Sequence, residues 1–293
     1  MRTRLAIFAL LALLVVLLGL LVRDDVPAVE ARRAPVMTVR ELHGDVMRVD
    51  ATGPVQAAAG DGLELGDRVA TGADGRAVIV PGELGADAAP IRLAPSTAVR
   101  VVSADSGALE LELERGQVKA RLRSDDTTLR VSNAARAVTA RRGAFAVRVD
   151  EQGLFSAEAE EGVLAVEGVP GVSTVSPGER LVSWPDGRGA RTAVSADPLL
   201  DVRWPSATTQ KQVTLVGTAD PGARVRVTSP IASPPVLVGP DGQFSVVVSL
   251  AEGKNTLELE VIDPADHVRH AIGEVTRDST SPTLKISLDY GKR

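Results

Sequence analysis

The sequence predicts an all-β protein behind a single transmembrane helix, with its strands divided between two modules. Three observations carry that prediction. Residues 5–22 read LAIFALLALLVVLLGLLV, without a charged or polar side chain. From Met37 onward, apolar and polar residues alternate with period two in short runs separated by Gly, Asp, Pro and Ser, the pattern of strands with one buried face. Around residues 184–200 the alternation lapses and then resumes.

A chain of 293 residues has room for about two domains of about 150 residues. The net charge of −5 gives no electrostatic reason to expect a nucleic-acid partner. Aromatic residues are 2% of the chain, few for a base-stacking platform or a sugar cleft. Cysteine is absent, which excludes disulfides, thiolate metal sites and a cysteine nucleophile.

At about 1.5 Å per residue, a helix over 5–22 spans about 27 Å, close to the hydrocarbon core of about 30 Å. The segment that follows, RDDVPAVEA, is charged where a signal-peptide cleavage region is neutral. Residues 5–22 are therefore expected to stay as a signal-anchor helix in the inner membrane. Residues 1–4 form a short cytoplasmic tip, and the carboxyl-terminal bulk lies in the periplasm. Residues 23–36, RDDVPAVEARRAPV, read as a charged, proline-bearing linker.

From residue 37 to 183 the runs TVRELHGDVMRV, RAVIV, PIRLAPSTAVRVV, ALELELERGQVKARL, TLRVS, RAVTARRGAFAVRV, LFSAEAEEGVLAVEG and TVSPGERLVS each alternate. In ALELELERGQVKARL, Leu109, Leu111 and Leu113 point one way and Glu110, Glu112 and Glu114 the other. The glutamates read as the solvated face of a strand. The stretch LELGDRVATGADGRAVIV, residues 63–80, sets Gly66-Asp67, Gly72 and Asp74-Gly75 between two alternations. Glycine tolerates positive φ and aspartate bonds its own turn backbone, so Asp67 reads as a turn-former rather than a ligand or catalyst.

These residues resemble the FecR domain, a periplasmic β-rich module first associated with iron-citrate sensing. The likeness is carried, in order, by Gly44-Asp45-Val46, Leu65-Gly66-Asp67-Arg68-Val69, Thr71-Gly72, Gly75-Arg76-Ala77-Val78, Ile91 to Thr97, Leu113-Glu114-Arg115-Gly116-Gln117-Val118, Phe145-Ala146-Val147, Glu161-Gly162-Val163 and Val175-Ser176-Pro177-Gly178-Glu179. It covers residues 38–183. Two places depart from the family pattern: Ser132-Asn133 stands where Thr-Pro is common, and Arg142-Gly143-Ala144-Phe145 where Gly-Thr-x-Phe is common. The resemblance implies a FecR-like β-solenoid or sandwich domain and a sensing role. In signalling relatives a cytoplasmic segment ahead of the membrane helix holds or releases a sigma factor. Met1 to Arg4 is too short for that, so the chain is not expected to be a complete transmembrane regulator.

Residues 184–200 read as an interdomain linker, with Arg188 and Arg191 as the expected first trypsin sites. Residues 201–293 resume the strand pattern and resemble bacterial Ig-like modules. Val216-Gly217, Pro221-Gly222-Ala223-Arg224-Val225, Asp241-Gly242-Gln243-Phe244, Leu250 and Gly253-Lys254-Asn255-Thr256-Leu257 carry the likeness. It implies an Ig-like β-sandwich.

Candidate chemistry is sparse. His267 and His270 are three apart, which on a strand points them to opposite faces. Asp220, Asp241, Asp263, Asp266 and Asp278 all fall at expected turns; converging at one end of the sandwich they would suit Ca²⁺, and otherwise they are ordinary turn residues. Trp184 and Trp204 flank the linker, as an aromatic clamp or as packing between domains. No catalytic, cofactor-binding or metal residues are assigned, and no cofactor is expected. The chain reads as a non-enzymatic, membrane-anchored envelope protein for binding, sensing or scaffolding, with an envelope protein or glycan as partner. The alternatives are an enzyme acting on envelope glycans and a purely structural spacer. A binder differs from a spacer in exposing a concave surface lined by residues that packing does not require.

Overall fold

Alternation in the sequence becomes alternation of burial in the fold. The computed structural model describes residues 35–82, 89–105 and 107–280. The expected tip, the membrane helix, most of the following linker and the end of the expected Ig-like module lie outside the described residues. The described residues are all-β, with strands and no helix.

The first seventeen strands form one sheet system. In chain order they are β1 (Met37–His43), β2 (Val46–Asp50), β3 (Gly53–Gln56), β4 (Gly62–Leu63), β5 (Arg68–Thr71), β6 (Arg76–Pro81), β7 (Ile91–Leu93), β8 (Ala98–Asp105), β9 (Ala108–Leu122), β10 (Thr128–Asn133), β11 (Arg136–Ala140), β12 (Gly143–Val149), β13 (Phe155–Glu161), β14 (Leu164–Glu167), β15 (Thr174–Val175), β16 (Glu179–Ser183) and β17 (Gly189–Ala193). One layer runs β1-β6-β7-β9-β12-β13-β16-β17. The other runs β3-β2-β5-β8-β9-β10-β11-β14-β15.

Strand β9 belongs to both layers. Its first half pairs with β8 and β10 and its second half with β7 and β12. It changes layer around Gly116, whose φ is 86°. A Cβ there would lie 2.4 Å from the Thr97 Cα, so this position requires glycine twice over. Ile79, Ile91, Val118 and Phe145 from one layer meet Val69, Val99, Leu111 and Leu129 from the other in one buried core. On the outer face, Glu110 and Glu114 pair with Arg130 and with Arg68 and Arg100, the solvated row expected of that alternation.

The stretch expected as a linker is in part strand. Residues 189–193 form β17, which pairs with β16 along its whole length. This edge strand of small and polar residues, GARTA, has no apolar alternation to reveal it in sequence.

The remaining strands are β18 (Leu200–Arg203), β19 (Ala207–Thr208), β20 (Gln212–Ala219), β21 (Arg224–Ser229), β22 (Val236–Leu237), β23 (Gln243–Ser249), β24 (Gly253–Ile262) and β25 (Val268–Arg277). They form a three-stranded sheet, β18-β20-β23, and a five-stranded one, β19-β25-β24-β21-β22. Leu215 and Val246 from the first pack with Val225, Leu257, Leu259 and Val275 from the second. This two-sheet sandwich has its own core. A third, smaller cluster of Leu154, Val182, Trp184 and Leu237 packs β16 and its neighbours against the β22 segment, where the two strand systems meet.

Candidate functional site

Two places bring chemistry-bearing side chains together: the junction of the two strand systems and the outer face of the three-stranded sheet.

The junction is ionic. Arg180 on β16 stands directly across from Glu158 on β13. It would be an outward residue of a solvated sheet, yet it is only 4% exposed. Its Nε and Nη2 donate to the Glu158 carboxylate at 3.2 and 2.9 Å, and its Nη1 donates to Asp263 Oδ2 at 2.9 Å. Asp263, also 4% exposed, sits in the turn between β24 and β25. Its other oxygen accepts from the Ala265 and His267 backbone N–H groups. Burial alone would push the Asp263 carboxyl up, but the Arg180 hydrogen bond and the turn N–H groups outweigh it and hold it below the ordinary carboxylate value. Burial likewise works against the Arg180 charge, and its two carboxylate partners more than offset it.

Two further pairs cross the same junction, Arg148 with Asp266 and Arg224 with Asp150. The cavity that Arg148, Asp150, Ser156, Arg224 and Asp263 help to line is about 10 Å³, no more than a single water fills. Each of these carboxylates accepts from a guanidinium, an arrangement suited to clamping two surfaces.

The second place is open. On β18, β20 and β23 the outward residues fall into two cross-strand rows. Asp201, Thr218 and Gln243 form one row, and Arg203, Val216 and Ser245 the next. Together they line a groove of about 390 Å³, within the size range of small-ligand sites. Neither Asp201 nor Arg203 has an ion-pair partner among the described residues. A fixed anion, a fixed cation, two hydroxyls and an amide thus share one shallow surface, a set that suits a polar ligand bearing both donors and acceptors.

The residues singled out in the sequence fall elsewhere or in other roles. Asp67 accepts the Glu64 backbone N–H at 3.0 Å across its own turn. His267 stands 3.3 Å from Asp263 at the junction. His270, on β25, lies 3.2 Å from Glu258, so the two histidines have separate partners. Asp220 accepts from the Leu199 N–H, Asp241 from the Gln243 N–H, and Asp278 from the Thr280 N–H. The five turn aspartates do not share a site, and no group of three metal-ligating side chains gathers among the described residues. Trp184 is in the junction cluster. Trp204 lies against the Gly273 backbone in the second sandwich, so the two rings do not form a clamp. Sequence reasoning missed Arg180, Glu158, Asp201 and Arg203, because each reads as an ordinary outward charge on a strand.

No family model matches the chain, and no curated protein matches it. Among solved structures, two crystal structures of a candidate anti-sigma factor from Parabacteroides distasonis ATCC 8503 are similar to it at 16% and 15% identity, each with a TM-score of 0.37 over 43% of this chain. The chain spans 59% of the length of each. The fibronectin(III)-like modules of Clostridium thermocellum CbhA are similar at 12% identity, with a TM-score of 0.26, covering 65% of this chain and 100% of that one.

Proposed function

We propose that this protein is a non-catalytic binding or sensing component of the cell envelope. In this reading it is held in the inner membrane by residues 5–22, with its β-rich bulk in the periplasm, a FecR-like domain leading to an Ig-like one. The observation that carries the binding role is the groove on β18, β20 and β23. Asp201 and Arg203 point away from the core and make no ion pair among the described residues, which leaves both charges open to a ligand in the groove. A spacer needs no such surface. The buried Arg180–Asp263 pair, which joins β16 to the β24–β25 turn, supports a scaffold-like body.

The test is capture by crosslinking from native membranes, with the full chain and an Asp201→Asn/Arg203→Gln variant compared. A protein or glycan partner held by the first and lost by the second is the expected result. Equal capture by both would remove the groove from the reading. Location is tested separately with a reporter active only in the periplasm, fused after Arg293. It is expected to be active, and an inactive fusion would overturn the membrane orientation.

A further inference from the structure

An exposed sheet margin is a row of unpaired backbone donors and acceptors, and proteins ordinarily blunt it with shortness, charge or proline. The other margins among the described residues follow that rule. Strand β3 has four residues including Pro54, β17 carries Arg191, β18 carries Asp201 and Arg203, and β15, β19 and β22 have two residues each. Strand β23 departs from it. It has seven residues, QFSVVVS, with no charge and no proline. Its burial alternates without a break, and among the described residues it pairs with another strand on one side only, with β20. Val247 on its outward face is 57% exposed.

We propose that β23 pairs antiparallel with β23 of a second copy of this chain, about a twofold axis through Val246. That register sets Gln243 opposite Ser249, Phe244 opposite Val248, Ser245 opposite Val247, and Val246 opposite itself. The inward positions then match aromatic with β-branched and β-branched with β-branched residues. The outward ones match the uncharged polar pair Gln243 and Ser249 and set Ser245 against Val247, with no charge set against its like. Such self-complementarity is what a closed isologous interface demands. The two three-stranded sheets become one of six strands, with the two grooves side by side on the same face.

The chain has no cysteine, so an introduced one is the sole thiol. Purified full chain carrying Val246→Cys is expected to form a disulfide-linked dimer on mild oxidation, since directly opposed strand residues meet the Cα spacing a disulfide needs. A mixture of differently tagged Ser245→Cys and Val247→Cys chains is expected to give the mixed dimer in excess over either homodimer. Thr214→Cys, on the inner strand β20, is expected to stay monomeric. Because Ser245 and Val247 are outward, charge variants at both positions leave the core intact and give a second measurement. Ser245→Lys/Val247→Lys is expected to sediment as a monomer, and Ser245→Glu/Val247→Lys, which sets opposite charges face to face, as a dimer. A monomeric native chain, crosslinking of Thr214→Cys as efficient as at 246, or equal behaviour of the two charge variants would each overturn the proposal.

Discussion

Removing either partner of the Arg180–Asp263 pair should loosen the junction by an amount the geometry bounds. Both side chains are buried, and their 2.9 Å hydrogen bond joins β16 to the β24–β25 turn, 83 residues apart in the chain. Breaking a buried pair from one side leaves an uncompensated charge and costs about 3–5 kcal/mol. Asp263→Ala belongs near about 3 kcal/mol, because Arg180 keeps Glu158 and the freed turn N–H groups can reach water. Arg180→Ala belongs higher, since it leaves Asp263 and Glu158 both facing an emptied site. At about 2–4 °C per kcal/mol for a domain of 150–250 residues, the smaller change should lower the melting temperature by about 6–12 °C. The double change Arg180→Met/Asp263→Leu removes both charges of the pair and keeps much of the volume, leaving only the partly exposed Glu158 carboxylate without its guanidinium, and should cost less than Arg180→Ala alone. Denaturant unfolding of the full chain in detergent, run as a double-mutant cycle, measures all three. Single variants that each cost under about 1 kcal/mol, or costs that simply add in the double variant, would refute the claim that this pair locks the two strand systems.

Four further outcomes follow from named contacts. The folded Asp263 value is depressed, so its stabilisation is complete above the ordinary carboxylate value of about 3.9 and is lost as pH falls through the folded value. The junction should therefore weaken in acid below about pH 4, and Asp263→Asn should flatten a pH series of melting temperatures there. Gly116→Val should cost more than Gly66→Val, both by thermal melt. The residue at 66 faces only the strain of φ 93°, about 1–3 kcal/mol, whereas 116 adds a collision with Thr97. Asp67→Asn should melt within about 0.5 kcal/mol of the native protein, because an amide oxygen can still accept the Glu64 N–H, and Asp67→Leu should lose about 1–3 kcal/mol by leaving that donor unpaired. Trypsin should spare Arg188 and Arg191, which flank or lie within the paired strand β17, and early cleavage at either would show that the β16–β17 pairing is not kept in solution.

Where burial follows from a local pattern, the sequence was legible. The alternation in ALELELERGQVKARL became strand β9 with Leu109, Leu111 and Leu113 buried, and the expected turn role of Asp67 has its geometry in the bond to Glu64. Period-two spacing and a glycine-aspartate turn are statements about neighbours in the chain, so one sequence suffices to read them. Strand β17 failed for the opposite reason. An edge strand of glycine, alanine and threonine buries little, and it is held by backbone pairing that leaves no trace in side-chain hydropathy.

Arg180, Glu158 and Asp263 mark a limit of a different kind. Alternation identifies which face of a strand points away from its own core, and by that test Arg180 and Glu158 belong to water. The test is local to one sheet, however, and the outward face of β13 and β16 is the surface on which the second sandwich rests. A charge buried between two folded bodies has the same spacing, the same neighbours and the same residue type as a charge in solvent. Only its partner 83 residues away distinguishes it. The groove is the converse case. Asp201 and Arg203 carry the same outward signature on β18 and do remain exposed, so identical local patterns end in a clamp at one place and a candidate binding surface at the other. What separates them is which sheet face another part of the chain covers, a property of how the strand systems dock that no window of adjacent residues contains.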